Sequence, residues 1–160
     1  MLKKTNNIVL IFILIIISIS LIATFIIQYY LGHQPCKLCI YERIPYILSI
    51  FLLLEIIFFK KNIKITLLLL AITFFISTIL ALYHLGIEQG IIKESFVCES
   101  KNISEALSKE QLLEQLKQNN ISCKDVSFRI LGFSLATINT IFSIILSVIF
   151  IKLFLNYGKN

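Results

Sequence analysis

Four stretches of this chain are apolar almost without interruption, and its polar positions gather between them. Residues 8–27 form a run of 20 without a charge, and residues 44–59 form one of 16 that reaches 21 when extended back to Cys39. Residues 65–85 and 130–155 supply two more. A helix needs about 20 mostly apolar residues to cross a hydrocarbon layer of about 30 Å. The pattern therefore predicts transmembrane helices over about 8–27, 39–59, 65–85 and 130–155. The first run is too long for a signal-peptide core and lacks a small-residue cleavage site after it, so it is kept as a span. Residues 60–64 are too few for anything but a tight turn between antiparallel helices. The expected fold is an all-α membrane protein, a four-helix transmembrane bundle forming a single membrane domain over 1–160, with loops at 28–43 and 86–129.

Composition agrees with lipid as the solvent. Hydrophobic residues make up 58% and charged residues 15%, whereas soluble domains carry roughly a quarter charged. The formal net charge of +6 does not point to nucleic acid, because the basic residues are divided among the ends of apolar segments and form no clustered face. Their distribution instead orients the chain. Lys3 and Lys4, then Lys60, Lys61 and Lys64, then Lys152 and Lys159 flank the spans with no acidic residue beside them, while residues 86–129 hold six basic and seven acidic residues. Short basic loops prefer the cytoplasmic side. Both termini are therefore expected in the cytoplasm, and 28–43 and 86–129 become outer loops.

The long outer loop has its own pattern. Asn102 with Glu105 and Ser108 with Gln111 have capping-box spacing, and Leu112, Leu113 and Leu116 follow. One or two short amphipathic helices on the membrane surface are expected there. The Asn-Ile-Ser sequons at Asn102 and Asn120 carry little weight in an Asn-rich chain.

This orientation puts all four cysteines, Cys36, Cys39, Cys98 and Cys123, on the oxidising side. A four-cysteine zinc site ordinarily uses two closely spaced ligand pairs. Here the second pair is separated by 24 residues, so no metal is expected. Two static disulfides remain a rival reading, although a lipid-packed bundle has little need of them. Cys39 lies near the start of a helix, where helix dipole and nearby cations favour thiolate. Arg43 follows four residues later, on the same face if the helix has begun. Pro45 complicates that geometry, since proline belongs in a first turn and disfavours helical backbone before it. From spacing alone, Arg43 stabilising an anion and Arg43 snorkelling to headgroups are equally compatible.

No Gly-x-Gly-x-x-Gly is present for a flavin or nicotinamide, and Ile40 follows Cys39 where haem attachment needs histidine. A lipid-soluble electron carrier is left by elimination. His84, near the outer end of the third span, is placed to donate a hydrogen bond or proton to such a carrier, or is simply an interfacial histidine beside Tyr83. Glu55 lies within an apolar run, where carboxylates are costly, but is close enough to Lys60 to snorkel.

The segment Pro35-Cys36-Lys37-Leu38-Cys39-Ile40-Tyr41-Glu42-Arg43-Ile44-Pro45-Tyr46 resembles the motif of DsbB-type disulfide bond formation proteins. Tyr83-His84-Leu85-Gly86-Ile87-Glu88-Gln89-Gly90 and Cys123-Lys124-Asp125-Val126-Ser127-Phe128-Arg129-Ile130-Leu131-Gly132 are similar to two further segments of that family. The resemblance covers nearly the whole chain. It implies a bacterial inner-membrane protein dithiol:quinone oxidoreductase, with its cysteines on the periplasmic side. Such a protein reoxidises a soluble thioredoxin-like oxidase of the DsbA type and passes the electrons to ubiquinone or menaquinone, the system in which quinone keeps the periplasm oxidising. It further implies that Cys39 and Arg43 lie nearest the quinone, that Cys98 meets the partner and that Cys123 relays to Cys36. Tether lengths point the same way. Cys123 is seven residues before Ile130, within roughly 23 Å of the fourth span at about 3.3 Å per extended residue, and Cys98 has the longer tether. Vitamin K epoxide reductase-like proteins share the bundle and the cysteine logic but order their helices differently.

Overall fold

A computed structural model describes residues 2–60, 62–93, 122–124, 129–130 and 132–157. Among these the chain is mostly helical, in the order α1 (Leu2–Tyr29), α2 (Lys37–Tyr41), α3 (Arg43–Phe59), α4 (Ile63–Glu88), β1 (Arg129–Ile130), β2 (Phe133–Ser134) and α5 (Leu135–Tyr157). Three helices are long and apolar enough to cross a membrane, over Asn7–Tyr29, Ile63–Glu88 and Leu135–Tyr157. The fourth long helix, α3, has 17 residues and at 1.5 Å per residue reaches about 25 Å. The expected amphipathic helices around Asn102 and Ser108, and Cys98 itself, lie outside the described residues.

Each helix buries one stripe and presents the rest of its apolar surface outward, as a bundle solvated by lipid must. On α1 the stripe is Leu10, Ile13, Ile17 and Leu21, at helical spacing, while Ile8, Phe12, Ile15, Ile19 and Ile22 are exposed. On α4 it runs from Thr66 and Leu67 through Leu70, Phe74, Ser77 and Ala81 to His84 and Ile87. The most extensive packing is between α4 and α5, followed by α1 with α3 and α3 with α4. At the centre the Phe74 and Phe150 rings stack with centroids 5.4 Å apart, and Tyr46 meets Phe74 edge-on at 5.7 Å. Small hydroxyls fill the remaining seam: Ser77, Ser143 and Ser49 are fully buried. Small residues at such seams let helices approach closely where no hydrophobic effect drives them together.

The ends of the helices explain where the observed elements differ from the expected spans. The predicted helix over 39–59 is divided at Glu42 into α2 and α3. Pro45 falls in the first turn of α3, and because it has no N–H it cannot hydrogen-bond the Tyr41 carbonyl that a continuous helix would offer it. The reversal between α3 and α4 uses left-handed backbone at Lys60 (φ 50°) and Asn62 (φ 52°). At its far end α4 closes with Gly90 at φ 74°. The Gly90 N–H donates to the Ile87 carbonyl and the Ile91 N–H to the Gly86 carbonyl, which is a Schellman closure.

The fourth predicted span, 130–155, begins later than its apolar run. Arg129–Ile130 pairs antiparallel with Phe133–Ser134 around Gly132 at φ 88°, and α5 starts only at Leu135. Ser134 sets that start, because its Oγ accepts the Thr137 N–H at 3.1 Å, the bond an N-cap residue makes. The same hydroxyl donates to Glu88 Oε2 at 2.7 Å, tying the start of α5 to the end of α4.

Candidate dithiol site

Cys36 caps the five-residue helix α2, its Sγ accepting the Cys39 N–H at 3.3 Å. One short turn thereby carries the two sulfurs to within 2.7 Å of each other. Both are free thiols, close enough that an acceptor of two electrons and two protons can close them into a disulfide without a large backbone movement. Their surroundings differ. Cys36 is buried in a cluster with Leu38, Ile87 and Cys123, against which Cys39 packs; Cys39 is only half-buried and also lines a cleft that Cys36 does not. Cys123 is itself buried, at 3% exposure, and disulfide-bonded.

Behind Cys36 stands His84, brought from α4. Its Nε2 lies 3.5 Å from the Cys36 Sγ, and its Nδ1 lies 2.9 Å from Oε1 of Glu42. A carboxylate accepts, so Nδ1 donates to it, leaving Nε2 to take the Cys36 proton or, once protonated, to donate back to a thiolate. A hydrogen bond from the Cys39 thiol, and after it the His84 imidazole, hold the Cys36 thiol well below its ordinary 9.0, at about 5, against the opposing effect of burial.

Glu42 extends the arrangement into the bundle. Its second oxygen accepts from Asn139 Nδ2 at 2.9 Å. The Tyr46 hydroxyl donates to Asn139 Oδ1 at 2.5 Å and lies 3.0 Å from Ser143 Oγ. Ser143 in turn meets Ser77 at 3.2 Å. A connected set of polar groups thus runs from the sulfurs to the middle of the helices, and every member has a partner, as buried polar groups in an apolar medium require.

The cleft has a volume of about 310 Å³ and lies between α1, the α2–α3 junction and the first turns of α5. Leu21, Thr24, Ile27, Ala136, Ile138 and Phe142 form much of its wall, and Gln28, Cys39, Glu42, Arg43 and Asn139 contribute polar atoms. Of its lining residues, Ala23 and Ile138 are exposed on the outer surface of two membrane-capable helices. Arg43 is held in place from α1: its Nη1 donates to Gln28 Oε1 at 2.5 Å, and its guanidinium lies 5.1 Å from the centroid of the Phe25 ring.

Of the residues singled out from sequence, Cys39 and Arg43 share the cleft wall, and Cys36, Cys39 and His84 form one cluster. His84 is not among the cleft-lining residues and addresses Cys36 instead. Glu55 is half-buried near the far end of α3. Glu42 and Asn139 had no assigned role. Glu42 lay inside the quoted motif, and Asn139 is a lone amide in an apolar run, a signal that polar groups within membrane helices deserve a function or a partner.

A helical membrane protein with a paired-thiol turn at the mouth of its bundle belongs to the class that handles disulfides beside a bilayer. The chain belongs to the DsbB family of disulfide bond formation proteins, whose family model matches residues 5–153. It is also 37% identical, over 99% of its own length and 93% of the relative's, to a protein of Rickettsia prowazekii (strain Madrid E) described as the uncharacterized protein RP370. No solved structure matches it.

Proposed function

We propose that this protein reoxidises a soluble thioredoxin-like oxidase of the DsbA type and delivers its electrons to ubiquinone or menaquinone in the cleft beside Cys39. The observation that carries this reading is that one sulfur of the dithiol reaches the cleft and the other does not: Cys39 lines the apolar wall with Arg43, and Cys36 is buried against Cys123. A disulfide relay needs one sulfur open to the acceptor and the other open to the incoming thiolate.

The cleft suits a quinone ring. Its volume is at the lower end of the range for small-molecule sites, with apolar walls and a few convergent polar groups. Arg43, Gln28 and Asn139 would hold the carbonyl oxygens. The quinone would supply an acceptor for two electrons and two protons.

The chain's own residues then take defined parts. The partner's thiolate attacks Cys98 in a Cys98–Cys123 disulfide and forms a mixed disulfide with it, releasing the Cys123 thiolate. In the form oxidised by the quinone, Cys123 attacks Cys36 of a Cys36–Cys39 disulfide, breaking that bond and forming Cys36–Cys123, and releases Cys39 as a thiolate beside Arg43. The partner's second thiol resolves the mixed disulfide, leaving the partner oxidised and Cys98 reduced. When Cys98 then attacks Cys36–Cys123, Cys36 leaves as a thiol anion that His84, oriented by Glu42, is placed to stabilise. Net loss by the partner is two electrons and two protons. The cysteines would face the periplasm of a bacterial inner membrane, with both termini cytoplasmic.

The test is quinone-dependent oxidation of a reduced thioredoxin-like dithiol by the purified protein in lipid. Turnover is expected in the wild type and lost in each of the four single-cysteine variants. A membrane subunit whose disulfides are only structural would show no turnover at all. Mass spectrometry of acid-trapped peptides checks the order of attack: a partner adduct on Cys123, with Cys98 bonded to Cys36, would reverse it.

A further inference from the structure

The dithiol has a third soft-metal donor already beside it. We propose that Cys36, Cys39 and His84 form a redox-gated binding site for a soft divalent cation of the Zn²⁺ or Cd²⁺ class, occupied in the dithiol state and abolished in the disulfide state. Bound metal would arrest the site in its reduced form.

The two Sγ atoms and the imidazole nitrogen all lie within 4.8 Å of one another. Zinc binds thiolate at about 2.3 Å and imidazole at about 2.0–2.1 Å in tetrahedral geometry, which sets the sulfur and nitrogen about 3.6 Å apart. Cys36 Sγ and His84 Nε2 are already at 3.5 Å. The sulfurs, at 2.7 Å, must open by about 1 Å to reach the separation two thiolates have on zinc. Cys39 has room for that rotation, because it is half-buried on the cleft side.

The histidine is also supported as a ligand should be. Its far nitrogen is bonded to Glu42, 2.9 Å away, and Glu42 is fixed in turn by Asn139 at 2.9 Å. A carboxylate behind a ligating histidine sets its tautomer and raises its basicity. Three protein donors leave one position open, as in three-ligand zinc sites. Binding moves no electrons: the cation displaces whatever thiol protons remain. In the oxidised chain the two sulfurs are bonded to each other and offer no thiolate pair. This site differs from a four-cysteine cage, since Cys98 and Cys123 take no part.

The inference requires only that Cys36 and Cys39 alternate between dithiol and disulfide, and a binding readout keeps it separate from quinone turnover. Full-length protein in detergent micelles, reduced with a phosphine and desalted, should bind one Zn²⁺ per chain that is displaced when a thiol oxidant is added. Co²⁺ in its place should give a tetrahedral ligand-field spectrum with thiolate charge-transfer bands. His84→Ala and Cys39→Ser should each weaken Zn²⁺ binding by about tenfold or more. A chain with Cys98→Ser and Cys123→Ser should keep its one equivalent. Equal affinity in reduced and oxidised protein, metal lost with the Cys98/Cys123 replacement, or an unaffected His84→Ala would each overturn the site. Should His84→Ala fail to fold, Cys39→Ser and the wild-type Co²⁺ spectrum decide, and a spectrum lacking thiolate bands would overturn it.

Discussion

At the scale of single residues, the two cysteines of one turn have unequal chemistry because Cys36 accepts from Cys39 and faces His84, while Cys39 lines the cleft. Cys36 receives the Cys39 thiol and the His84 imidazole, and its pKa falls to about 5. In reduced, metal-free protein its thiolate absorbance should therefore appear with a midpoint near pH 5. The sign for stability follows: the lowered folded-state pKa stabilises the reduced chain fully above about 9 and loses that contribution as pH falls to about 5. Cys39→Ser, which keeps a donor, should leave the midpoint low, and Cys39→Ala should raise it. A midpoint unmoved by Cys39→Ala would show that the neighbouring thiol is not the main cause.

Arg43 is the second residue with a sharp expectation. Its guanidinium is pinned by Gln28 and Phe25 at the cleft wall, so it is positioned before any acceptor arrives. Loss of a hydrogen bond to a charged group costs about 1.5–3 kcal/mol. Arg43→Ala should thus raise the apparent KM for quinone by roughly tenfold to a hundredfold, with the partner's KM unchanged. Unaltered quinone kinetics would reduce Arg43 to a headgroup anchor.

At the scale of elements, the ends of α4 and α5 hold the dithiol end of the bundle together. Gly90 adopts φ 74°, where a side chain costs about 1–2 kcal/mol, and Ser134 caps α5 while gripping Glu88. Gly90→Ala and Ser134→Ala should each lower stability by about 1–2 kcal/mol, both read by thermal unfolding in micelles. Gly86→Ala should also lower stability, because its new Cβ would fall 2.7 Å from Cδ1 and 3.0 Å from Cγ1 of Ile92, forcing that side chain to shift. The long helices were legible from sequence because apolar runs and lipid thickness constrain one another. The paired-thiol turn and Arg43 were legible because they are neighbours in the chain. The Glu42–His84 and Glu42–Asn139 bonds were not, since they join positions 42 and 97 residues apart. Which faces of α3, α4 and α5 meet is settled by packing, and apolar runs with little amphipathic bias do not announce it. The start of α5 was misplaced for a local reason: Ile130 and Phe133 are apolar enough to extend the helix, but Gly132 and Ser134 end it.

At the scale of the whole molecule, sidedness is the feature on which the proposed relay depends, and the seven unopposed lysines are its basis. A reporter active only outside the cytoplasm should work when fused near Glu105 and fail when fused at Asn62. The opposite pattern would defeat the periplasmic assignment.

Ala23 and Ile138 line the cleft and are exposed on two membrane-capable helices, which offers the proposed acceptor a route from lipid and changes what concentration means for it. A carrier reaching Cys39 by that route arrives by diffusion in two dimensions, from the plane of the bilayer. The quantity that saturates the site is then quinone per lipid and not quinone per litre. In proteoliposomes, adding empty lipid by fusion at constant total quinone and protein should slow turnover once the site is below saturation, while diluting the whole suspension with buffer should leave turnover per protein unchanged at saturating partner. Dependence on the aqueous volume instead would mean that the acceptor enters from water, through the loop side of the cleft.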